Sequence, residues 1–114
     1  MQIRAIAKTN FGLRFSDKMN DVFNKGRQTV WANKSKDDLE DWKNIKKGIR
    51  GMFDRFYLLD ADVFDNGESK ISLTNTRQQQ HRPKSVHVMT LPKDATLDLS
   101  KICNLYDKLA NLNS

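Results

Sequence analysis

One cysteine, two prolines and two histidines are all that this chain of 114 residues holds of those types. A lone Cys103 can close no intrachain disulfide and cannot build a cysteine-rich zinc site. That usage fits a reducing compartment, and the expectation is a cytoplasmic protein. No apolar run approaches the ~20 residues that cross a bilayer, so no membrane partner is expected. The opening Met1-Gln2-Ile3-Arg4-Ala5-Ile6-Ala7-Lys8 is too short and too charged for a signal peptide. Self-similarity at 20–50 residues is absent, which excludes a solenoid or a propeller. The sequence also lacks a glycine-rich phosphate loop, an H-E-x-x-H pair and a G-x-S-x-G elbow. Nothing in it calls for a cofactor.

What is present is positive charge. The net charge is +6, with 38% hydrophobic and 30% charged residues. That is polar for a globular chain, yet too apolar and too regularly patterned for disorder. Residues 1–36 contribute +6, residues 37–68 −4 and residues 69–114 +4. An excess of this sign attracts polyanions, of which nucleic acid is the commonest in a cell.

The length suits one domain, residues 1–114, with room for one core. Ile3 to Ala7 reads as a short strand. Ser16 reads as an N-cap followed by Asp17, with Met19, Val22 and Phe23 at helical spacing and Gly26 as the stop. Gln28-Thr29-Val30-Trp31 reads as a strand by β propensity. The clearest element begins after Ser35, which forms a capping box with Asp38 in the usual Glu position. Leu39, Trp42, Ile45, Ile49, Met52, Phe53 and Phe56 then recur at steps of three and four, giving an amphipathic helix from about Lys36 to about Tyr57. Gly48 and Gly51 weaken it and invite a bend.

Asp65-Asn66-Gly67 is a turn signal between Leu59–Phe64 and Glu68–Thr74, so a hairpin is expected there. Asn75 to Lys84 contains no apolar residue and reads as a solvated loop. Ser85 to Leu91 reads as a strand with Val86, Val88 and Thr90 on one face and His87, Met89 and Leu91 on the other, closed by Pro92. A last helix starts near Asp98 or Ser100 and carries Leu99, Ile102, Leu105, Tyr106, Leu109 and Leu112. The expected fold is α+β: two or three helices packed on a small, mainly antiparallel sheet of four or five strands.

Two basic features mark the expected binding surface. Lys36, Lys43, Lys46, Lys47 and Arg50 share one flank of the central helix, beside its apolar stripe. Glu40 and Asp54 dilute that flank. Arg77, His81, Arg82 and Lys84 populate the polar loop, whose glutamines are able to meet base edges. Together they give the leading expectation: a small non-catalytic protein that binds DNA or RNA. Lys43, Lys46, Lys47, Arg50, Arg77, Arg82 and Lys84 would lie on the phosphate backbone.

Two alternatives come from other classes. One is a protein–protein regulator or inhibitor, of the kind that phages and other mobile elements encode. The other is a small nuclease. Asp60, Asp62, Asp65 and Glu68 with Lys70 form a minimal carboxylate–lysine pattern for Mg²⁺. His81 and His87 with Arg82 and Lys84 supply acid–base groups for a ribonuclease. Both patterns arise easily by chance, so no metal and no catalytic residue is assigned. Gly48-Ile49-Arg50-Gly51 matches a bare G-x-x-G phosphate loop, but an uninterrupted helix explains the region better. Trp31 and Trp42 are assigned to the core; an exposed indole would instead mark a stacking platform or an interface.

Overall fold

A computed structural model describes residues 12–33, 35–76 and 84–113. The elements run β1 (Arg14–Phe15), α1 (Asp17–Ala32), α2 (Lys36–Met52), β2 (Tyr57–Val63), β3 (Ser69–Asn75), β4 (Lys84–Leu91) and α3 (Leu99–Asn113). The four strands form one sheet in the order β1-β2-β3-β4. β1 lies parallel to β2, while β2–β3 and β3–β4 are antiparallel. The expected small α+β fold is therefore present, as three helices on a four-stranded mixed sheet. The expected strand at Ile3–Ala7 lies outside the described residues.

Local chemistry sets the helix boundaries. The Ser16 hydroxyl accepts from the Met19 N–H at 3.1 Å, and the Ser35 hydroxyl from the Asp38 N–H at 3.2 Å. Asp98 does the same for α3, its carboxylate accepting from the Lys101 N–H. Each bond satisfies a first-turn donor that the helix itself leaves open. The hairpin turns where expected: the Asn66 side chain accepts from the Glu68 N–H, and Gly67 sits at φ +93°, a conformation that costs glycine little.

Four expectations need correction. Gln28–Trp31 is not a strand but the last turns of α1, which runs through Gly26 without a break. Gly26 is buried because the chain after β4 crosses it: a Cβ there would lie 2.1 Å from the Leu97 carbonyl oxygen. α2 ends at Met52 rather than near Tyr57, with Phe53 already extended as its C-cap. Its glycines are helical, so the phosphate-loop alternative falls away. The alternation in β4 breaks at a register shift, with Ser72 opposite His87 but Ile71 opposite Met89. Val88 is the extra residue, so Val88 and Met89 are both buried while His87 is exposed. Finally, Trp42 is core at 2% exposure, but Trp31 is 67% exposed.

Leu59, Ala61, Ile71, Leu73, Met89 and Leu91 turn one sheet face toward the helices. Phe23, Trp42, Ile49, Ile102, Leu105 and Leu109 meet them from the other layer. The opposite face carries Asp60, Ser72 and His87 in one cross-strand row and Asp62, Lys70 and Thr90 in the next. The Leu97 carbonyl, packed on Gly26, also accepts the Trp42 indole N–H at 2.8 Å.

This contact predicts a contrast between two glycines. Gly26→Ala forces a methyl into a backbone carbonyl and should cost about 3 kcal/mol or more. Gly51→Ala, with nothing within 4 Å of its added Cβ, should be neutral or stabilising by up to about 1 kcal/mol. Urea unfolding with an unchanged m value checks both, and equal midpoints would refute the assigned packing.

Candidate functional site

At the end of the core nearest β1, three rings lie together. Phe15 and Phe23 have centroids 4.7 Å apart, and Phe23 meets Trp42 edge-on at 6.2 Å. Each comes from a different element, β1, α1 and α2. Phe15 is fixed by the pairing of its strand with Leu59 and by the Leu13 N–H, which donates to the Arg50 carbonyl at 2.8 Å.

Over these rings stand cations of α2. The Lys46 ammonium lies 4.9 Å from the Phe23 centroid and 5.9 Å from those of Phe15 and Trp42. The Arg50 guanidinium carbon lies 5.1 Å above Phe15. The negative faces of the rings hold these charges in place. Trp42, Lys43, Lys46, Lys47 and Arg50 line one open cleft of about 260 Å³. Arg27 of α1 lies close enough to act on Lys46 electrostatically. Burial first, then Arg50 and Arg27, hold the Lys46 pKa below its ordinary value.

Among the described residues the one salt bridge is Lys101 with Asp98, at 3.7 Å. None of Lys43, Lys46, Lys47 and Arg50 is joined to a carboxylate of the described residues. The structure therefore gathers the four helical cations around one cleft. It does not bring Lys84 to them. Lys84 begins β4, opposite Asn75 on the far edge strand, and borders a separate cleft with Phe53, Tyr57, Val86 and Leu112. Arg77 and Arg82 lie outside the described residues. So does His81.

Arg14, not singled out from sequence, has a structural task. Its Nε donates to the Arg55 carbonyl at 2.7 Å and an Nη to the Thr76 hydroxyl at 3.0 Å. These bonds tie β1 to one end of the hairpin, where β2 starts and β3 finishes. Arg27 was missed for a different reason: reading Gln28–Trp31 as a strand ended α1 one residue before it, and so hid its place across from Lys46.

The carboxylate–lysine pattern does not assemble among the described residues, and His81 and Arg82 of the ribonuclease pattern lie outside them. Among the described residues no three carboxylate, histidine or cysteine side chains converge as a metal site. Asp62 faces Lys70 across the hairpin, and Glu68 accepts from the Asn66 amide in the turn. His87 bonds the Thr90 hydroxyl at 2.9 Å on the exposed sheet face. Cys103 is exposed on α3. No described helix is long and apolar enough to cross a membrane. The chain matches no family model, and no curated protein or solved structure is significantly similar to it.

The position of Lys46 has a measurable consequence. Its unfolded-state pKa is the ordinary 10.5, and its folded value is lower. Between the two values the unfolded chain holds more protons, so stability rises with pH in that interval. Lys46→Met keeps the contact with the rings but cannot titrate. Thermal melts from neutral pH toward 10.5 should show the wild type gaining on Lys46→Met, and parallel profiles would contradict the burial of this charge.

Proposed function

We propose that the protein binds nucleic acid without catalysing a reaction, mainly through the phosphate backbone. Lys43, Lys46, Lys47 and Arg50 form the principal contact, with Arg77, Arg82 and Lys84 as a second. The observation supporting this reading is the cleft itself: four cations on one helix face, two of them (Lys46 and Arg50) over aromatic rings, and none joined to a carboxylate among the described residues. Like charges brought this close repel one another, and a phosphate between them turns repulsion into attraction. Each neutralised phosphate also releases counterions, which makes such binding salt-dependent.

Fluorescence anisotropy with labelled DNA and RNA oligomers at ~50 and ~200 mM salt tests the proposal. Affinity should fall with salt on a log–log slope of roughly −3 to −6. Reversing Lys43, Lys47 and Arg50 to Glu together should flatten that slope by about three. Replacing Arg77 and Arg82 by Ala should flatten it by up to about two. Binding that is absent at low salt, or unmoved by salt, overturns the reading.

A further inference from the structure

Trp31 stands out from the rest of the aromatic set. The other indole, Trp42, is buried and hydrogen-bonded, whereas Trp31 is two-thirds exposed at the C-terminal end of α1. With Ala32, Ser35 and Lys36 it lines a cleft of about 340 Å³ at the α1–α2 junction. Its neighbourhood is cationic. Arg27 precedes it by four residues and so sits on the same helix flank, one turn away. Arg27 is also the α1 charge that acts on Lys46. From residue 22 to residue 36 the sequence has Lys25, Arg27, Lys34 and Lys36 and no acid. Arg27 therefore links the two: it lies one helical turn from the indole and acts electrostatically on Lys46 of the cation cleft.

Resting on the reading of the cation cleft as a nucleic-acid contact, we infer that the ligand is single-stranded, with one unpaired base stacked on the exposed Trp31 indole and its neighbouring phosphates at Arg27 and Lys46. The spacing suits this. One helical turn separates Arg27 from Trp31, about 6 Å along the axis, against a rise of about 3.4 Å per nucleotide in a stacked strand. A phosphate at Arg27 thus puts the base of an adjoining nucleotide within reach of the indole. A duplex does not offer that base, because both its faces are already stacked. An unpaired strand does, and base–indole stacking is tolerant of sequence. Charge complementarity selects the polyanion, and the bare ring selects its single-stranded form.

The test uses the full chain with three labelled probes: oligo-dT and oligo-U of about 15 nucleotides, and a DNA duplex of the same length. Trp31→Ala should weaken binding of the single strands by between about 5-fold and 150-fold, while changing duplex binding less than about 2-fold. Trp31→Phe should retain most of the single-strand affinity. The salt slope should be the same in all three proteins, since no charge is removed. Single strands should quench wild-type tryptophan fluorescence, and the quench should vanish in Trp31→Phe, where only the buried Trp42 remains. Comparing oligo-dT with oligo-U shows whether DNA or RNA is preferred. An unchanged single-strand affinity in Trp31→Ala, or an equal loss on duplex, overturns this inference and leaves salt-dependent binding standing. Absence of salt-dependent binding to all three probes overturns the underlying reading as well. Melting temperatures of both variants should equal the wild type, because so exposed a side chain contributes little packing.

Discussion

The Trp42 indole donates to the Leu97 carbonyl across 55 positions of sequence, inside the core, while Gly26 lies against the same carbonyl from α1. Three segments meet at that oxygen: α1, α2 and the chain leading from β4 into α3. A buried carbonyl without a donor costs about 1–3 kcal/mol, so the bond fixes where the Leu97 segment crosses the two helices. The same bond fixes the indole's plane. Phe23 then packs edge-on to it, Phe15 packs on Phe23, and the short β1 strand is drawn to the sheet edge where it pairs with β2. The geometry beneath the cation cleft thus descends from one hydrogen bond deep in the core.

Placing cations there has a cost. Lys46 is partly desolvated, and Arg50 and Arg27 act on it as like charges, with no ion pair to Lys46 among the described residues. Three ring faces return part of that cost, each about 0.5–1 kcal/mol at an exposed site and more where water is excluded. The remainder is a standing repulsion at the surface. On the outer sheet face the chain does the opposite, setting Asp62 directly across from Lys70. Opposite charges placed together on one surface and like charges on another give the two surfaces different affinities for ions. Of these two surfaces, the helical one is where an anion would relieve like-charge repulsion.

Much of the architecture is legible because its signals are local. Ser16, Ser35 and Asp98 mark helix starts by the single bond each side chain makes, and Asn66-Gly67 marks the hairpin by its tolerance of positive φ. The apolar period from Leu39 to Met52 identifies α2 and, by subtraction, the flank where Lys43, Lys46, Lys47 and Arg50 gather. What is not legible depends on partners distant in sequence. Gly26 looks like a stop until Leu97 is seen to lie on it. Thr29-Val30-Trp31 has the composition of a strand, yet Val30 is buried on the helical period set by Met19, Val22 and Phe23. Tertiary burial outweighs an intrinsic preference worth only tenths of a kcal/mol per residue. The β4 bulge inverts the facing of His87 through a one-residue shift that no local pattern announces. Lys84 falls at the opposite sheet edge from the helical cations for the same reason: strand order is a property of pairing, not of spacing.

The continuation of α1 past Gly26 decides where Trp31 stands. Seen as a strand, Trp31 alternates with Val30 and passes for core. Continued as a helix, it falls four residues beyond Arg27, on the flank that the buried stripe of Met19, Phe23 and Val30 leaves outside. A helix of this length has no packing use for an indole there, since Val30 already closes the apolar contact at that end. A large ring left in water gives up the burial free energy of about 2–3 kcal/mol that such a side chain gains in a core. Nothing in the packing of the described residues recovers that loss. On the proposed reading a stacked base would, with the charge one turn away favouring a polyanion.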